Sequence, residues 1–200
     1  GALQDARPFQ VAYFWSPLAA SVLAGLAASR PFDLLHVHLL RMVPYADRVP
    51  GLRRLLDLTD AVSLYWRQFV AVTRNPLLRA LRAVELARVS RYEARAADFG
   101  MSLVCSERDR AALLAGAPGA RVELLPNGVD LKAFAPEQND STGRTGEPDT
   151  LIYTGNLAYW PNADAILHFC RTVWPRLIRV RPLKLLIVGQ RPGARIRRLA

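Results

Sequence analysis

The chain has 200 residues, a formal net charge of +10 and 51% hydrophobic residues. This composition excludes a wholly disordered chain and is sufficient for one large core or two small ones. No run of about 18 apolar residues occurs, so the sequence predicts no membrane-spanning helix. The positive charge favours partners that carry phosphate, such as nucleic acid, nucleotide or anionic lipid, and does not choose among them.

In the first part of the chain, predicted strands alternate with predicted helices. Ser16 followed by Pro17 predicts one helix start, and Ser106 followed by acidic Glu107 predicts another. A long helical pattern covers residues 76–98. The predicted strands are residues 9–15, 32–40, 52–61, 101–106 and 121–130.

Residues 136–149 are polar and glycine-rich, which is typical of a linker. After them come two apolar runs at 150–155 and 183–189, with a helix predicted from about Asn162. Such alternation indicates βαβ units and parallel, doubly wound sheets. We therefore expect two Rossmann-like domains, with residues 1–135 in the first, 136–149 as the linker and 150–200 in the second.

The cysteines, Cys105 and Cys170, lack the spacing of metal ligands, and each lies in an apolar stretch. Buried free thiols are common in such stretches. A reducing cytosol is therefore the expected compartment.

Ligands of open α/β sheets bind beyond the carboxyl ends of the strands. This rule directs attention to six turns of this chain. They follow Trp15, His38, Asp60, Ser106, Thr154 and Val188.

His36 and His38 lie two residues apart and therefore on one face of a predicted strand. A metal site is the weaker interpretation, since no third ligand has suitable spacing. Asp57 and Asp60 end the next strand, where a carboxylate could act as a base or accept a hydrogen bond from a sugar hydroxyl. The alternative is that Asp60 caps the following helix.

Gly155 ends a predicted strand, where a missing side chain lets the backbone approach a bulky charged ligand. Asn162 is predicted as an N-cap, so that the helix amides behind it could bind phosphate. The alternative is that Gly155 only allows the chain to turn, while Tyr159 and Trp160 pack over the helix. Considered without the rest of the sequence, this loop favours the alternative.

Gly189 ends the next predicted strand and is followed by Arg191, a candidate phosphate partner. For Gly189, too, the alternative is that the glycine only allows the chain to turn.

The arginines of the predicted helix 76–98 fall on two sides of it. Arg79 and Arg82 lie on one side, and Arg88, Arg91 and Arg95 on the other. This favours a solvated helix, and no segment matches a nucleic-acid-binding motif. No nucleic-acid partner is expected.

Six segments appear in the chain in one order: FDLLHVHLLRMVPY, LLDLTDAVSLYW, RYEARAADFGMSLVCSERDRAAL, VELLPNGVDLKAF, YTGNLAYWPNADAILHFCRTVWPRL and LLIVGQRP. Together they resemble the GT-B glycosyltransferases of family 4, most closely the bacterial sugar transferases of exopolysaccharide and exosortase systems. The matches cover nearly the whole chain. No single segment is specific to this family, whereas the set of six in this order is.

The resemblance implies retaining, metal-independent transfer of a sugar from a nucleotide-diphosphate-sugar to an acceptor hydroxyl, in a cleft between two domains. It implies a glycan or lipid-linked acceptor, peripheral contact with an anionic membrane, a cytoplasmic location, and no metal or other cofactor. The residues implied on the acceptor side are His38, Asp57 and Asp60. The residues implied on the donor side are Gly155, Asn156, Asn162, Gly189 and Arg191.

The chain departs from the family pattern at two donor positions. Asn156 stands where many relatives have arginine, and Asn162 where they have lysine, so each diphosphate contact is expected to be about half as strong. The family's glycine-rich loop and Glu-x7-Glu motif are expected before Gly1 and after Ala200. Both domains are therefore expected to be incomplete here, and a fragment of this kind to be inactive alone.

Two other classes of function are alternatives. A degenerate Rossmann module would bind anionic membrane or nucleic acid through its basic surface, with steep salt dependence. A nicotinamide-dependent oxidoreductase would need a Gly-x-Gly-x-x-Gly run, which this sequence lacks.

Overall fold

The computed structural model describes residues 7–135 and 149–199. The chain divides into two compact units, Gly1–Ala133 (unit one) and Phe134–Ala200 (unit two). Of the predicted linker 136–149, residues 136–148 lie outside the described residues, and Asp149 begins a strand.

Unit one is an α/β structure whose four strands alternate with helices. Its strands are β1 (Leu34–His38), β2 (Arg53–Thr59), β3 (Met101–Val104) and β4 (Val122–Leu124). Its α-helices are α1 (Phe9–Tyr13), α2 (Pro17–Ser29), α3 (Val43–Ala46), α4 (Val62–Ala71), α5 (Pro76–Glu93) and α6 (Glu107–Gly116). Short 3-10 helices cover Leu40–Met42 and Ala94–Asp98.

The four strands form one parallel sheet in the order β1-β2-β3-β4. One face of the sheet, with Val37, Leu56 and Val104, is buried in a core that also contains Val89 of α5 and Leu113 of α6. This fold is mixed α/β and compatible with a Rossmann-like domain.

The opposite face of this sheet is open in the part of the chain that the structure describes. The strand register places His38 beside Asp57, and Asp57 beside Leu103. These side chains are exposed or half-buried, as is Leu34 on the same face. The apolar pattern of β1 had indicated that other elements cover both faces of the sheet. The described residues cover one face.

The predicted helix starts in unit one are confirmed. The Ser16 hydroxyl accepts a hydrogen bond from the Ala19 amide at 3.3 Å, and the Ser106 hydroxyl accepts one from the Asp109 amide at 3.2 Å. Pro17 occupies the first turn of α2, where its missing N–H costs nothing. Local sequence therefore determines where these helices begin.

The predicted strand 9–15 is wrong, because residues Phe9–Tyr13 form α1. Glu85 of α5 accepts a hydrogen bond from the Phe9 amide at 2.6 Å, which satisfies a free donor at the helix start. The Tyr45 hydroxyl joins the end of α1 to the start of α2 by bonding to the Phe14 carbonyl and the Ser16 amide, both at 2.8 Å. These distant contacts outweigh a weak β propensity.

Unit two contains the parallel strands β5 (Asp149–Thr154) and β6 (Leu183–Val188). Its α-helices are α7 (Trp160–His168), α8 (Trp174–Leu177) and α9 (Ala194–Arg197), with a π-helix at Phe169–Val173. A small core joins Leu157, Ile166, Leu167 and Ile196. Across residues 7–135 and 149–199, no helix is both long enough and apolar enough to cross a membrane.

Candidate functional site

A histidine and a carboxylate form a pair that joins the ends of β1 and β2. Nδ1 of His38 lies 3.0 Å from Oδ2 of Asp57. A carboxylate only accepts, so Nδ1 donates and the neutral ring keeps its lone pair on Nε2. The His38 side chain is 59% exposed and Asp57 21%, so the carboxylate is held in the structure while the imidazole faces solvent. Two of the residues implied on the acceptor side, His38 and Asp57, thus form a pair with an oriented imidazole at the carboxyl edge of the sheet.

The Asp57 carboxylate is fixed from two sides. Its other oxygen, Oδ1, accepts a hydrogen bond from the Thr59 amide at 3.1 Å. Nε2 of His36 lies 3.8 Å from Oδ2, beyond hydrogen-bond distance. His36 is therefore a neighbour of the pair, whereas His38 is bonded to it.

Backbone strain lies directly beside this pair. Leu39 and Thr59, which lie at the ends of β1 and β2, have positive φ angles of 73° and 63°. Thr59 is the centre of a three-residue turn closed by a 2.7 Å bond from the Asp60 amide to the Leu58 carbonyl. A positive φ is unusual for leucine and an outlier for β-branched threonine. Such strain persists where surrounding contacts impose it, and it is found at functional sites.

Asp60 does not cap the following helix, so that alternative is wrong. The N-cap of α4 is Ala61, and its amide donates instead to Asp109 of α6 at 2.9 Å. Asp60 is exposed, and its Oδ1 accepts a hydrogen bond from the Cys105 thiol at 3.1 Å. This hydrogen bond, together with burial, raises the pKa of the Cys105 thiol.

Asp60, Cys105 and Asp109 bring their polar atoms within 4.8 Å of one another, a spacing that could suit a cation. However, Asp109 accepts from the Ala61 amide through Oδ1 and from the Ser106 hydroxyl through Oδ2. The raised pKa of Cys105 disfavours the thiolate, which is the form that binds metals. Hydrogen bonds within the chain therefore account for this cluster.

An apolar groove of about 600 Å³ lies beside the histidines, between α2 and β1. Leu23 of α2 and Leu35 of β1 are among its walls, and His36, His38 and Arg41 are its polar side chains. The oriented imidazole therefore adjoins a surface that can hold an apolar group. The sequence had no signal for this groove, because its lining residues come from α2, β1 and the segment after β1 and meet only in the fold.

In unit two, the two predicted glycines contact each other. A Cβ on Gly189 would lie 2.0 Å from the Gly155 carbonyl oxygen and 2.8 Å from Leu157. Gly189 must therefore be glycine for the ends of β5 and β6 to pack. A Cβ on Gly155 would meet the Asn162 amide nitrogen and the Tyr153 hydroxyl at 3.3 Å each. Internal packing therefore accounts for Gly189, whereas a Cβ at Gly155 would make tight contacts with side-chain atoms.

The prediction of Asn162 as an N-cap is wrong. Helix α7 begins at Trp160 with Tyr159 as its N-cap. Pro161 has no N–H, and the Asn162 amide bonds back to the Tyr159 carbonyl at 3.1 Å. This helix start therefore offers an anion fewer N–H donors than a helix start whose first amides are all unbonded.

The two asparagines hold the loop after β5 together. Nδ2 of Asn162 donates to the Asn156 carbonyl at 3.1 Å, and Oδ1 of Asn156 accepts from the Ala158 amide at 3.0 Å. Arg191 is exposed and has a positive φ of 52°. Of the predicted donor residues, Arg191 is the one that carries a positive charge.

Sequence reasoning missed three buried carboxylates in unit one. Glu85, Glu93 and Asp109 accept hydrogen bonds from the amides of Phe9, Ser63 and Ala61. Burial raises the pKa of Glu93. The only signal available was the position of acids within otherwise apolar or basic helical segments.

Comparisons with protein-family models, with curated proteins and with solved structures found no match to this chain.

Proposed function

We propose that the chain is part of a glycosyltransferase of GT-B architecture, which transfers a sugar from a nucleoside diphosphate-sugar to an acceptor hydroxyl. Support comes from the ordered set of segments that resemble family 4. One structural observation carries the proposal further, namely the hydrogen-bonded His38–Asp57 pair at the carboxyl edge of a parallel sheet.

His38 is the residue proposed to meet the acceptor. With its Nδ1 proton directed at Asp57, Nε2 can accept the proton of an acceptor hydroxyl. As that O–H bond breaks, the oxygen bonds to the anomeric carbon on the face from which the diphosphate leaves, so that the anomeric configuration is retained. The bond from that carbon to the diphosphate breaks at the same time, and its electrons leave with the nucleoside diphosphate. Asp57 stabilises the imidazolium that results.

The apolar groove beside His38 supports an acceptor with an apolar part. Leu35, Met42 and Tyr45 are among its walls, so a lipid chain would exclude water there. Arg41 is among the lining residues and can pair with a phosphate of the same acceptor. A lipid-linked acceptor therefore fits this side better than a free sugar.

Arg191 is the residue proposed to pair with the donor diphosphate, because Asn156 and Asn162 are uncharged and engaged in loop hydrogen bonds. The first test is calorimetric titration of the intact gene product with uridine and guanosine diphosphate-sugars. Saturable binding is expected, and Arg191→Gln should weaken it about tenfold through loss of a charged hydrogen bond. The matched control is Arg195→Gln, also exposed in unit two, which should bind normally.

The second test concerns transfer by the intact gene product, assayed with labelled donor and a lipid extract as the source of acceptor. His38→Asn should lower the rate by about 10²-fold or more, as expected for loss of a general base. His168→Asn, at an exposed histidine of α7 that does not line the groove, should change it less than about threefold. The proposal fails if no nucleotide-sugar binds, or if both histidine variants behave alike.

A further inference from the structure

Each of the three acceptor oxygens of Asp57 is engaged. Oδ2 lies 3.0 Å from Nδ1 of His38, Oδ1 accepts a hydrogen bond from the Thr59 amide at 3.1 Å, and the backbone carbonyl accepts one from the Leu39 amide at 2.7 Å. The two amide donors belong to the strained residues beside the pair, with φ angles of 63° and 73°. The strain and the orientation of the carboxylate are therefore parts of one arrangement.

The strained turn at Thr59 is also an irregularity of the sheet. Asp57 pairs with Leu103 and Thr59 pairs with Val104, so β2 has one extra residue opposite β3 at this point. Such bulges are rare between parallel strands, and they occur next to active sites, where they redirect a side chain. In this bulge the Thr59 amide donates back to Oδ1 of Asp57. The irregularity therefore orients the carboxylate that holds the imidazole.

Contacts on both sides hold Thr59 in this conformation. Leu58, directly before it, is 1% exposed and lies in the core of unit one. The Thr59 carbonyl accepts a hydrogen bond from the Cys105 amide at 2.8 Å. The Asp60 amide closes the turn by donating to the Leu58 carbonyl at 2.7 Å. Because burial and hydrogen bonds fix the turn, the positive φ persists although threonine disfavours it.

Glycine is the residue that would adopt a positive φ without strain. A β-branched residue at a positive φ is confined to a narrow range of backbone angles, whereas glycine has a wide range open to it. Threonine at this position therefore costs stability and restricts the motion of the amide that holds Asp57. The Thr59 hydroxyl forms no hydrogen bond with any residue within 7–135 and 149–199, so side-chain bonding there does not explain the threonine.

We propose that Thr59 is a positioning residue for the proposed reaction. Its restricted backbone holds the Asp57 carboxylate, which holds the His38 ring with Nε2 free for the acceptor hydroxyl. The catalytic part of this inference rests on the proposed function, whereas the restriction of the ring does not. The two parts can therefore be tested separately, one by a readout on the ring and one by a readout on transfer.

The first readout is nitrogen NMR of the histidine imidazoles in the intact gene product without substrate. Thr59→Gly should lower the ratio of Nδ1-protonated to Nε2-protonated neutral ring at His38 about threefold or more, because a loosened carboxylate holds the proton less well. Thr59→Val is the conservative variant, since it keeps the β-branch and removes only the hydroxyl. Its ratio should match that of the unchanged protein.

The second readout is hydrogen exchange of the β2 amides, which reports the stability of unit one. Thr59→Gly should slow this exchange about threefold or more, since relief of strain outweighs the extra freedom of glycine in the unfolded chain. A residue with only a structural role would lose stability and ring order together. For Thr59→Gly we expect stability to rise while the order of the His38 ring falls.

The matched control is Thr154→Gly. Thr154 is an exposed threonine at the end of β5, and its φ is not positive. Glycine has no strain to relieve there, so it should speed hydrogen exchange in β5. The His38 ring should be unchanged.

The third readout is transfer, measured as for the histidine variants. Thr59→Gly should lower kcat about tenfold and change KM for the donor less than about twofold, because a displaced base affects the transition state and not donor binding. Thr59→Val should retain kcat within about twofold.

The inference is overturned if Thr59→Gly keeps the tautomer ratio of the unchanged protein. It is equally overturned if Thr59→Val loses the ratio to the same extent, because the hydroxyl and not the backbone would then be responsible. If the unchanged protein transfers no sugar, the proposed function fails, and the NMR ratio still decides whether Thr59 restricts the pair.

Discussion

The two units hold their polar loops together in different ways. In unit one, buried carboxylates bridge elements far apart in the chain, with Glu85 joined to Phe9 and Asp109 to Ala61. In unit two, no described residue is a buried acid, and the ends of the strands pack backbone on backbone where Gly189 meets Gly155. Buried carboxylates thus link distant segments of the first unit, whereas a contact between glycines closes the strand ends of the second.

This difference shows where chemistry can be supported. A buried acid that caps a helix also fixes the strand end beside it, so His38 and Asp57 lie on a constrained edge. In unit two the predicted donor residues are mostly engaged in holding their own loop. The candidate catalytic edge of unit one therefore rests on stronger structural grounds than the donor side.

The largest expected effect concerns the packing in unit two. Gly189→Ala would place a Cβ 2.0 Å from the Gly155 carbonyl oxygen, and backbone must move to relieve it. We expect a loss of about 3 kcal/mol in the free energy of unfolding of unit two. Hydrogen exchange of the β6 amides measures it. Gly193→Ala, where nothing lies within 4 Å, should cost less than about 1 kcal/mol; equal effects would refute the packing argument.

The second prediction tests buried charge in unit one. Burial raises the pKa of Glu93 above its ordinary 4.5, so the folded state binds the proton more tightly than the unfolded chain. The free energy of unfolding therefore falls as the pH rises from about 4.5 to the folded-state pKa, and is constant above it. Within that window the expected slope is about 1.4 kcal/mol per pH unit. Glu93→Gln should remove this slope, as measured by hydrogen exchange in β2 between pH 4 and pH 8.

The control for this prediction is Glu107→Gln, because Glu107 is exposed at the start of α6. The control should leave the slope unchanged. If Glu93→Gln preserved the pH dependence of the parent chain, Glu93 would not be its source.

The third prediction concerns the ring of His38. Because Nδ1 donates to Asp57, nitrogen NMR of the imidazole should show the proton on Nδ1 in the neutral ring. Asp57→Ala should return the proton largely to Nε2. His36, 3.8 Å from the same carboxylate, is the internal comparison and should change less. An unchanged His38 tautomer would remove the proposed positioning role of Asp57.

The smallest expected effect is on a thiol. The hydrogen bond from Cys105 to Asp60 raises the pKa of the thiol, so alkylation near pH 8 should be slow. Asp60→Asn should accelerate alkylation of Cys105 a few-fold. Cys170, whose pKa is raised by burial, should keep its rate, which mass spectrometry can follow separately. A change at both cysteines would indicate general loosening.

In both units, the predictions from sequence that succeeded are those that depend on local patterns. The strands β1, β2, β3 and β6 and the caps at Ser16 and Ser106 follow local patterns and are confirmed. The strand at 9–15 was wrong because a contact 76 residues away, from Glu85, stabilises a helix there. The prediction of Asn162 as an N-cap was wrong because the helix begins two residues earlier, at Trp160, with Pro161 in its first turn.

By itself, the sequence determined the alternation of strands and helices and the polar residues that end β1 and β2, because periodicity and capping act over a few residues. Only the tertiary structure decided that His38 bonds to Asp57 while His36 does not. It also decided that Leu39 and Thr59 are strained and that Gly189 must be glycine. These features depend on strand register and on contacts between distant segments, which no local pattern encodes.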